Sequence, residues 1–412
     1  MDYTIITQCR GCGGKALESV LNLGEQSLTG VFPKTADTPL AKGPLEIVRC
    51  KACTLVQLKH RFNPEEMYGE TYGYRSGLNR SMVQHLGNKI AVLQRRANLK
   101  SGDTVLDIGC NDGTTLQSYT LEGLHRYGID PSSGKFLKYY KDPSIKVATE
   151  FFTADSFRSL AGDAKCKLVT SIAMFYDLDD PTTFAKDIAS VLAPDGIWHT
   201  EQSYLPTMLD TNSFDTICHE HTLYYSLKSV EAILDNAGLR VVDIARNDIN
   251  GGSFALDITH KDNDLPANDA LIEWMRKSER IAGYDTLAPL HGFNQRIDLH
   301  VHQITNLLQA LKAKGKRVIG YGASTKGNVL LQYANIGPEL LEAIAEINPE
   351  KYGCVTPGSH IPIISDEEAR ALNPDYFFVL PWHFKEDILP REQEFLRQGG
   401  RMFFPLPEPV IV

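Results

Sequence analysis

The segment VLDIGCNDG, residues 105–113, is the most informative stretch of sequence for predicting the structure of the central part of the chain. It is an apolar run that ends in a glycine-containing turn, which predicts a buried strand, a tight turn and then a helix. Further apolar runs follow at residues 126–130, 167–174, 196–202 and 239–246, with helical spacing between several of them. Such alternation is typical of a parallel sheet with crossover helices. We therefore predict a Rossmann-like α/β domain around this segment.

The polar residues of the turn favour S-adenosylmethionine over a dinucleotide as the bound cofactor. Asp107 and Asp112 place negative charge beside the turn. A pyrophosphate would be repelled there, whereas the sulfonium and ammonium groups of S-adenosylmethionine would not be. The G-x-N-x-G pattern of Gly109, Asn111 and Gly113 also differs from the G-x-G-x-x-G dinucleotide fingerprint.

Further residues along the chain fit the same cofactor. Asp130 ends the next predicted strand roughly twenty residues on, where a carboxylate can accept the hydroxyls of a ribose. Asp155 falls where an acid would meet the adenine amine, although it also fits a solvated loop acid. Residues 171–181 follow the fourth strand and are expected to wall the methyl-donor site. This ordered set predicts the fold of class I S-adenosylmethionine-dependent methyltransferases.

Four cysteines near the start predict a structural zinc site. They form two C-x-x-C pairs: Cys9 with Cys12, and Cys50 with Cys53. Two such pairs complete a tetrahedral four-sulfur site, which leaves no open position for catalysis. The insert of 37 residues between the pairs is longer than in compact zinc fingers, and redox-active pairs or incidental thiols are the alternatives. The four scattered cysteines are expected to be ordinary buried thiols: Cys110, Cys166, Cys218 and Cys354.

The bulk composition is that of a globular protein with several domains. The 412 residues are 42% hydrophobic and 23% charged, with a formal net charge of -9. This charge argues against a broad nucleic-acid surface. The chain has neither an apolar run long enough to span a membrane nor a signal-peptide pattern, so we expect a cytoplasmic protein without a membrane partner.

We predict three units in the chain. Residues 1–78 form the zinc-binding module and a connector rich in Tyr and Gly, and residues 79–263 form the methyltransferase domain. Residues 264–412 form a smaller Rossmann-like α/β domain, because GYGASTKG at 320–327 again follows an apolar run with a glycine turn. A NAD-dependent enzyme built on that turn is an alternative. It is disfavoured because the G-x-G-x-x-G frame is broken, even though Glu346 lies near the distance of a ribose-binding acid.

These features, together with HEHTLYYS at residues 219–226 and GYGASTKG, resemble the bacterial sugar C-methyltransferases. The likeness covers nearly the whole chain and includes the order of the three units. It implies S-adenosylmethionine-dependent methylation of a ring carbon beside the keto group of a nucleotide-linked 4-keto-6-deoxy sugar, with dTDP as the expected nucleotide. It also implies structural zinc and a C-terminal domain that helps to bind the nucleotide-sugar.

The resemblance assigns roles to individual residues. It implies that His221 is the general base, with Glu220 beside it and His219 in support, and that Tyr72 and Tyr74 belong to the catalytic site. The residues implied for substrate binding are Ser76, Asn250, Ser324, Thr325, Lys326 and Asn328, with Lys326 expected to meet the diphosphate. Two positions depart from the family pattern: Cys218 stands where Tyr is common, and Phe254-Ala255 stands where an arginine is often nearby.

The implied chemistry needs residues of these types. A carbon beside a ketone loses a proton if the base is unprotonated near neutral pH, and histidine meets that condition with an ordinary pKa of ~6.5. The enolate oxygen then needs a hydrogen-bond donor. Each motif also has a plainer interpretation: a polar turn or metal site for the His-Glu-His segment, aromatic packing for the tyrosines, and a solvated lysine in a tight turn for Lys326.

Two other functions remain open from the sequence. One is an S-adenosylmethionine-dependent O- or N-methyltransferase of another small metabolite, which would not need the tyrosine-rich connector or the C-terminal domain. The other is a non-catalytic zinc-containing scaffold that binds a partner. The intact glycine-acid turn of residues 105–113 disfavours the scaffold, because a scaffold has no need of a cofactor site.

Overall fold

Four sheets organise the described part of the chain, which in this computed structural model comprises residues 3–63, 67 and 74–412. The strands of the N-terminal part are β1 (Tyr3–Ile5), β2 (Leu17–Ser27), β3 (Lys42–Cys50), β4 (Val56–Leu58) and β5 (His60–Phe62). The strands of the central part are β6 (Thr104–Ile108), β7 (His125–Ile129), β8 (Lys146–Ala148), β9 (Cys166–Ile172), β10 (Leu192–Ser203), β11 (Leu223–Tyr224), β12 (Leu239–Asn247) and β13 (Ser253–His260). The strands of the C-terminal part are β14 (Val318–Tyr321), β15 (Ile344–Glu346), β16 (Ile363–Ser365), β17 (Tyr376–Val379), β18 (Arg401–Phe404) and β19 (Val410–Ile411).

The α-helices lie between these strands. Those of the central part are α1 (Arg80–Arg96), α2 (Ala154–Ala161), α3 (Pro181–Val191), α4 (Leu205–Asp210) and α5 (Leu227–Asn236). Those that follow are α6 (Asp269–Ile281), α7 (Ala288–Ala313), α8 (Thr325–Tyr333), α9 (Asp366–Ala371), α10 (Lys385–Arg391) and α11 (Gln393–Arg397). No helix among the described residues combines the length and apolar character needed to cross a membrane.

The central sheet confirms the predicted α/β class. Its seven strands run in the order β12-β13-β10-β9-β6-β7-β8, and β13 is antiparallel to both of its neighbours while the other pairings are parallel. All five residues of β6 are buried, as expected for a strand covered on both faces. The helix expected after the glycine turn is only a short 3-10 turn, Leu116–Ser118. Ser118 Oγ donates to Thr114 O at 2.7 Å, and local hydrogen bonds of this kind compete with the formation of a regular helix.

The N-terminal module shares a sheet with the central part. Its four antiparallel strands run in the order β11-β4-β3-β2, and β11 comes from the stretch that follows the His-Glu-His motif. Leu223 pairs with Gln57 and Tyr224 with Val56. Because this pairing is between backbones, the motif is anchored to the N-terminal module as well as to the central sheet.

The C-terminal sheet has six strands in the order β16-β15-β14-β17-β18-β19, parallel apart from the last pairing. Helix α6, which follows the expected boundary at residue 263, contacts β12 and α5 of the central part. Its Ile272 and Met275 belong to the central core, and its buried Glu279 accepts Tyr204 Oη at 2.7 Å. We therefore propose that the C-terminal unit begins after Ile281 rather than at residue 264.

Candidate active site

A cavity of about 320 Å³ opens at the carboxyl ends of β6, β7, β9 and β10. Ligands of open α/β sheets bind at this edge, and the volume suits a small-molecule site. Its walls include seven of the residues singled out from the sequence. They are Tyr74, Ser76, Asp107, Gly109, Asn111, Asp130 and Asn250. Part of the wall also comes from the segment after β9, which was expected to line the methyl-donor site: Ala173, Met174, Asp177, Leu178 and Asp179.

The glycine turn is held in place by the acid that ends β7. Asn111 N donates to Asp130 Oδ2 at 2.7 Å, and Ser132 N donates to Asp130 Oδ1 at 2.6 Å. Gly113 does not line the cavity, and its backbone φ is +77°. A Cβ there would lie 2.5 Å from the ring of Tyr140, which donates from its Oη to Asn111 O at 3.0 Å. Glycine at this position therefore shapes the turn from behind and does not face the ligand.

Asp107 is a buried carboxyl group of the cavity wall. It is 3% exposed, and Thr170 Oγ1 donates to its Oδ1 at 2.6 Å. Burial raises the pKa of Asp107 to about 7, and the hydroxyl of Thr170 opposes that rise. Burial disfavours the ionised form, whereas a nearby cation would favour it. This carboxyl is therefore poised to lose its proton when a positively charged ligand arrives.

The structure does not place Asp155 at the cavity. Its side chain is 93% exposed and pairs with Arg158 at 2.8 Å in the first turn of α2. The aromatic rings of Phe151 and Phe152 form the cavity wall in its place. An acid at a helix N-terminus is favoured by the helix dipole and needs no ligand to explain it. The expected contact with the adenine amine is therefore not supported.

The end of the connector, residues 74–77, lies against the glycine turn. Asn111 Nδ2 donates to Tyr74 O at 3.2 Å, and Ser76 N donates to Asn111 Oδ1 at 3.0 Å. Gly77 N donates to Asp112 Oδ2 at 2.9 Å. Tyr74 and Ser76 are thereby brought against the cofactor turn. Tyr72 lies outside the described residues.

His221 has the hydrogen bonding of a general base. Its Nδ1 lies 2.8 Å from Thr216 O, a carbonyl that can only accept, so Nδ1 carries the proton and Nε2 carries the lone pair. The ring packs edge-on against Tyr176, with centroids 4.5 Å apart. Burial, reinforced by the positive charge of Lys326, lowers the pKa of His221 to about 4. The imidazole is therefore neutral near pH 7 and able to accept a proton.

The other two members of the motif face the N-terminal module. His219 is 1% exposed, its Nε2 lies 3.1 Å from Gly43 O, and Phe62 packs against its ring. Thr29 Oγ1 donates to Glu220 Oε2 at 3.4 Å. A Cβ at Gly30 would lie 2.7 Å from Glu220 Oε1, so the absence of a side chain at Gly30 makes room for this carboxylate. The structure thus gives His219 and His221 different surroundings.

Lys326 reaches the cavity wall from the C-terminal unit. Its Nζ donates to Asn250 O at 2.7 Å, and Asn250 adopts a left-handed conformation with φ of +55°. Burial lowers the pKa of Lys326, and the negative charge of Asp215 opposes that effect. Asp215 itself is 1% exposed and accepts Trp382 Nε1 at 2.8 Å. The lysine is therefore a half-buried cation and not a solvated one.

Two of the other residues expected to bind the substrate, Ser324 and Asn328, make structural hydrogen bonds at or from helix α8. Ser324 caps α8, where its Oγ accepts Gly327 N at 3.0 Å. Asn328 is fully buried and donates from Nδ2 to Thr29 O at 2.7 Å, which ties α8 to the N-terminal module. Thr325 lies half-buried at the start of the helix. None of these three lines the cavity among the described residues.

The two positions that depart from the family pattern do not face the cavity. Cys218 and Phe254 are both 0% exposed, and neither belongs to the cavity wall. The ring of Phe254 packs against Tyr204, with centroids 4.8 Å apart. Both side chains are therefore core residues in this structure.

The sequence analysis missed two residues at the end of β10. Glu201 is 2% exposed and pairs with His85 Nε2 at 2.6 Å, Lys89 Nζ at 2.7 Å and Asn247 Nδ2 at 2.6 Å. Gln202 is 1% exposed, and its Nε2 has no hydrogen-bond partner among the described residues. Both line the cavity. The available signal was their place at the carboxyl end of a predicted strand.

The four N-terminal cysteines converge as predicted. The Sγ atoms of Cys9, Cys12, Cys50 and Cys53 all lie within 4.8 Å of one another. Cys9 Sγ lies 3.5 Å from Cys53 Sγ, and Cys12 Sγ lies 3.6 Å from Cys50 Sγ. Tetrahedral zinc with Zn–S bonds of ~2.3 Å places its sulfurs about 3.8 Å apart, so the cluster fits that ion. Gln57 Nε2 donates to Cys9 Sγ at 3.2 Å and so supports one of the ligands.

Comparison with known families covers most of the chain in three segments. Residues 9–68 match a family described as "Putative zinc binding domain", residues 80–244 match "Methyltransferase domain", and residues 248–407 match "C-methyltransferase C-terminal domain". The C-methyltransferase NovU of Streptomyces niveus is 32% identical over 410 residues, which cover 99% of this chain and 97% of that protein.

Solved structures match less than half of the chain. An S-adenosylmethionine-dependent methyltransferase from Clostridium acetobutylicum is 12% identical with a TM-score of 0.33, and the match covers 43% of this chain and 92% of that one. The N-methyltransferase NodS from Bradyrhizobium japonicum is 13% identical with a TM-score of 0.33, and the match covers 44% of this chain and 98% of that one.

Proposed function

Because the chain belongs to the family of S-adenosylmethionine-dependent C-methyltransferases with an N-terminal zinc-binding domain, we propose that it methylates a ring carbon of a nucleotide-linked 4-keto-6-deoxy sugar. The carbon is one next to the keto group, and the expected nucleotide is dTDP. The proposal adds the acceptor and the mechanism to the C-methyltransferase activity of the family. It draws on the resemblance of the His-Glu-His and Gly-Tyr-Gly-Ala-Ser motifs to those of sugar C-methyltransferases.

The observation that carries the proposal is the state of His221. A C-methyltransferase must generate a carbon nucleophile, and the ordinary route is removal of a proton beside a carbonyl group. The hydrogen bond from Nδ1 to Thr216 O leaves the Nε2 lone pair available. Burial and the charge of Lys326 keep the ring neutral, because they lower the pKa of His221 to about 4. A neutral imidazole with an available lone pair can accept a proton from carbon, and its low pKa means that the enolate must be stabilised by another group.

The residues around the base supply orientation and shelter from water. Tyr176 packs on the imidazole at 4.5 Å between ring centroids and restricts its rotation. The segment that contains Tyr176 continues into Asp177 and Leu178 of the cavity wall, whereas His221 itself is not part of that wall. We infer that the acceptor binds between them, within reach of both the base and the methyl donor. Proximity of this kind removes much of the entropic cost of bringing base, acceptor and donor together.

The cavity would hold the methyl donor. S-adenosylmethionine supplies an electrophilic methyl group on a sulfonium when it is bound. The buried carboxyl of Asp107 and the hydrogen-bonded carboxylate of Asp130 give the cavity two acidic groups, which suit a cationic ligand that carries a ribose.

Mass spectrometry of reaction mixtures tests the proposal. The protein is incubated with S-adenosylmethionine and each member of a panel of nucleotide-linked 4-keto-6-deoxy sugars, beginning with the dTDP-linked ones. We expect one acceptor to gain the mass of a methylene group. When the acceptor carries deuterium at the carbon beside the keto group, that deuterium should be lost. Reactions with the His221→Asn variant are the control and should give no product. If the protein binds S-adenosylmethionine but methylates no member of the panel, the proposed acceptor is wrong.

A further inference from the structure

Lys326 and the base are held by the same short segment. Helix α8, which begins at Thr325, packs against residues Phe214–Thr216. The carbonyl of Thr216 receives the Nδ1 proton of His221 at 2.8 Å, and the neighbouring Asp215 is the acidic group that favours the charged form of Lys326. The lysine and the imidazole therefore border the same segment, at the junction of the central and C-terminal units, and the charge of Lys326 acts on the imidazole.

The ammonium of Lys326 has donors to spare. In the described part of the chain its one hydrogen bond is to Asn250 O at 2.7 Å, and an ammonium has three N–H donors. Asn250 lines the cofactor cavity. Two donors of a half-buried cation are therefore free for an acceptor located between the cavity and His221.

A diphosphate clamp is a poorer explanation of this lysine. A diphosphate is best held by several donors that converge on it. Asn328, which would be expected to bind the diphosphate as well, is fully buried, and its Nδ2 donates to Thr29 O at 2.7 Å. Lys326 itself points to the loop of residues 249–253, whose members Ile249, Asn250 and Ser253 line the cavity. The cation is thus directed toward a loop that lines the cofactor cavity.

We propose that Lys326 is a catalytic residue whose ammonium binds the keto oxygen of the acceptor and stabilises the negative charge that this oxygen gains. The inference rests on the proposed function, because it requires a carbonyl group beside the carbon that is methylated. In the deprotonation step the C–H bond beside the carbonyl breaks and the proton passes to Nε2 of His221. The electron pair of that bond becomes the C=C bond of an enolate, and the carbonyl oxygen takes the negative charge.

The same cation explains how a weak base can act. The positive charge of Lys326 contributes to the lowered pKa of His221, which weakens the imidazole as a proton acceptor. A cation at the enolate oxygen compensates, because it makes the neighbouring carbon more acidic in the same step. Asp215 lies behind the lysine, with Oδ2 engaged by Trp382 Nε1 at 2.8 Å, and opposes the loss of charge on Lys326 by burial.

Exchange of the acceptor's proton with deuterated water isolates this step, because it needs no methyl donor. We compare the wild type with Lys326→Met, which removes the charge, and with Lys326→Gln, whose amide can still donate to Asn250 O. Lys312→Met is the matched control: its Nζ donates to a backbone carbonyl, Glu339 O at 2.6 Å, on the surface of the C-terminal unit. Exchange and methylation of a nucleotide-linked 4-keto-6-deoxy sugar are both measured, together with S-adenosylmethionine affinity and thermal unfolding.

We expect Lys326→Met and Lys326→Gln to lose about 10²–10³-fold in both exchange rate and kcat, the usual effect of removing one oxyanion donor. Their affinity for S-adenosylmethionine and their unfolding temperature should stay near those of Lys312→Met. Recovery of activity by Lys326→Gln alone would overturn the inference, because the lysine would then only position Asn250. A rise in KM at constant kcat would overturn it in favour of the diphosphate. If the wild type neither exchanges nor methylates any keto sugar, the proposed function fails and this inference fails with it.

Discussion

The cofactor affinity of the wild type should depend on pH through the carboxyl of Asp107. In the free protein, burial raises the pKa of this group to about 7. A sulfonium or ammonium held beside the carboxylate would favour its ionised form and lower the pKa again. Binding should therefore release a proton, and the affinity for S-adenosylmethionine should increase as the pH rises through about 7.

The size of the effect follows from the shifted pKa. A group with a pKa of about 7 is about one-tenth ionised at about pH 6 and about nine-tenths ionised at about pH 8. If only the ionised form binds the cation well, the affinity should be about tenfold lower at the more acidic pH. An Asp with the ordinary pKa of ~3.9 would give no change over this range.

Isothermal titration calorimetry of the wild type and of Asp107→Asn measures this dependence. In the wild type, Thr170 Oγ1 donates to Asp107 Oδ1 at 2.6 Å. The asparagine keeps an oxygen that can accept this hydrogen bond, but it has no carboxyl group to titrate. Dividing the wild-type affinity by that of the variant at each pH removes the titration of the ligand's own amino group. Buffers with different ionisation enthalpies report the released proton directly. An identical pH dependence in both proteins would show that Asp107 does not contact the positive charge of the cofactor.

Three further expectations concern residues at and around the site. His221→Asn should lose ~10²–10⁴ in turnover at normal cofactor affinity, as for a lost general base. His219→Asn should mainly lower the unfolding temperature, because His219 is buried against Gly43 and Phe62. If steady-state kinetics show that His219→Asn loses turnover while His221→Asn stays active, the base is His219. Asp155→Ala should leave calorimetric cofactor affinity unchanged, because the side chain is 93% exposed, and a marked loss would return it to the site. Removal of zinc by a chelator should lower the unfolding temperature, since structural zinc is bound only by the folded module, and an unchanged transition in metal-depleted protein would refute a structural ion.

The fold was largely predictable because its strands carry strong local signals. The buried β6 and the glycine turn after it occupy the positions expected from residues 105–113. The cysteine pairs were equally informative, since zinc coordination restricts the spacing of its ligands. Both are cases in which a short stretch of sequence carries most of the physical constraint.

The surroundings of the site residues were less predictable, for a different reason. Asp155 was placed by its distance along the chain, but the cavity wall at that point is formed by Phe151 and Phe152, and a helix N-terminus gives the acid another stable position. Gln202 and Glu201 carry no motif of their own. They were missed because their burial at the carboxyl end of β10 depends on how α1 and the end of β12 pack over them. Tertiary packing of this kind cannot be read from local spacing.

The surroundings of Lys326 depend on three parts of the chain that are distant in sequence. The glycine turn at 320–327 predicted a binding loop, and the structure does place Ser324 as the cap of α8. The direction of the lysine is set by the left-handed Asn250, whose carbonyl it meets at 2.7 Å, and by Asp215. A sequence pattern can identify such a cation, but its contact with Asn250 and its place beside Asp215 depend on the folded chain.

The N-terminal module does more for the site than fold itself around an ion. Arg10 lies between the first two zinc-binding cysteines, and its guanidinium donates to His60 O at 3.0 Å and to Asp179 Oδ1 at 3.3 Å. Asp179 belongs to the cavity wall, and Thr182 Oγ1 donates to Gly11 O of the same cysteine loop at 2.7 Å. A metal that fixes this loop thus also fixes one wall of the cofactor cavity. Because the strand after the His-Glu-His motif pairs with β4 of that module, the same module also positions the stretch of chain that carries this motif.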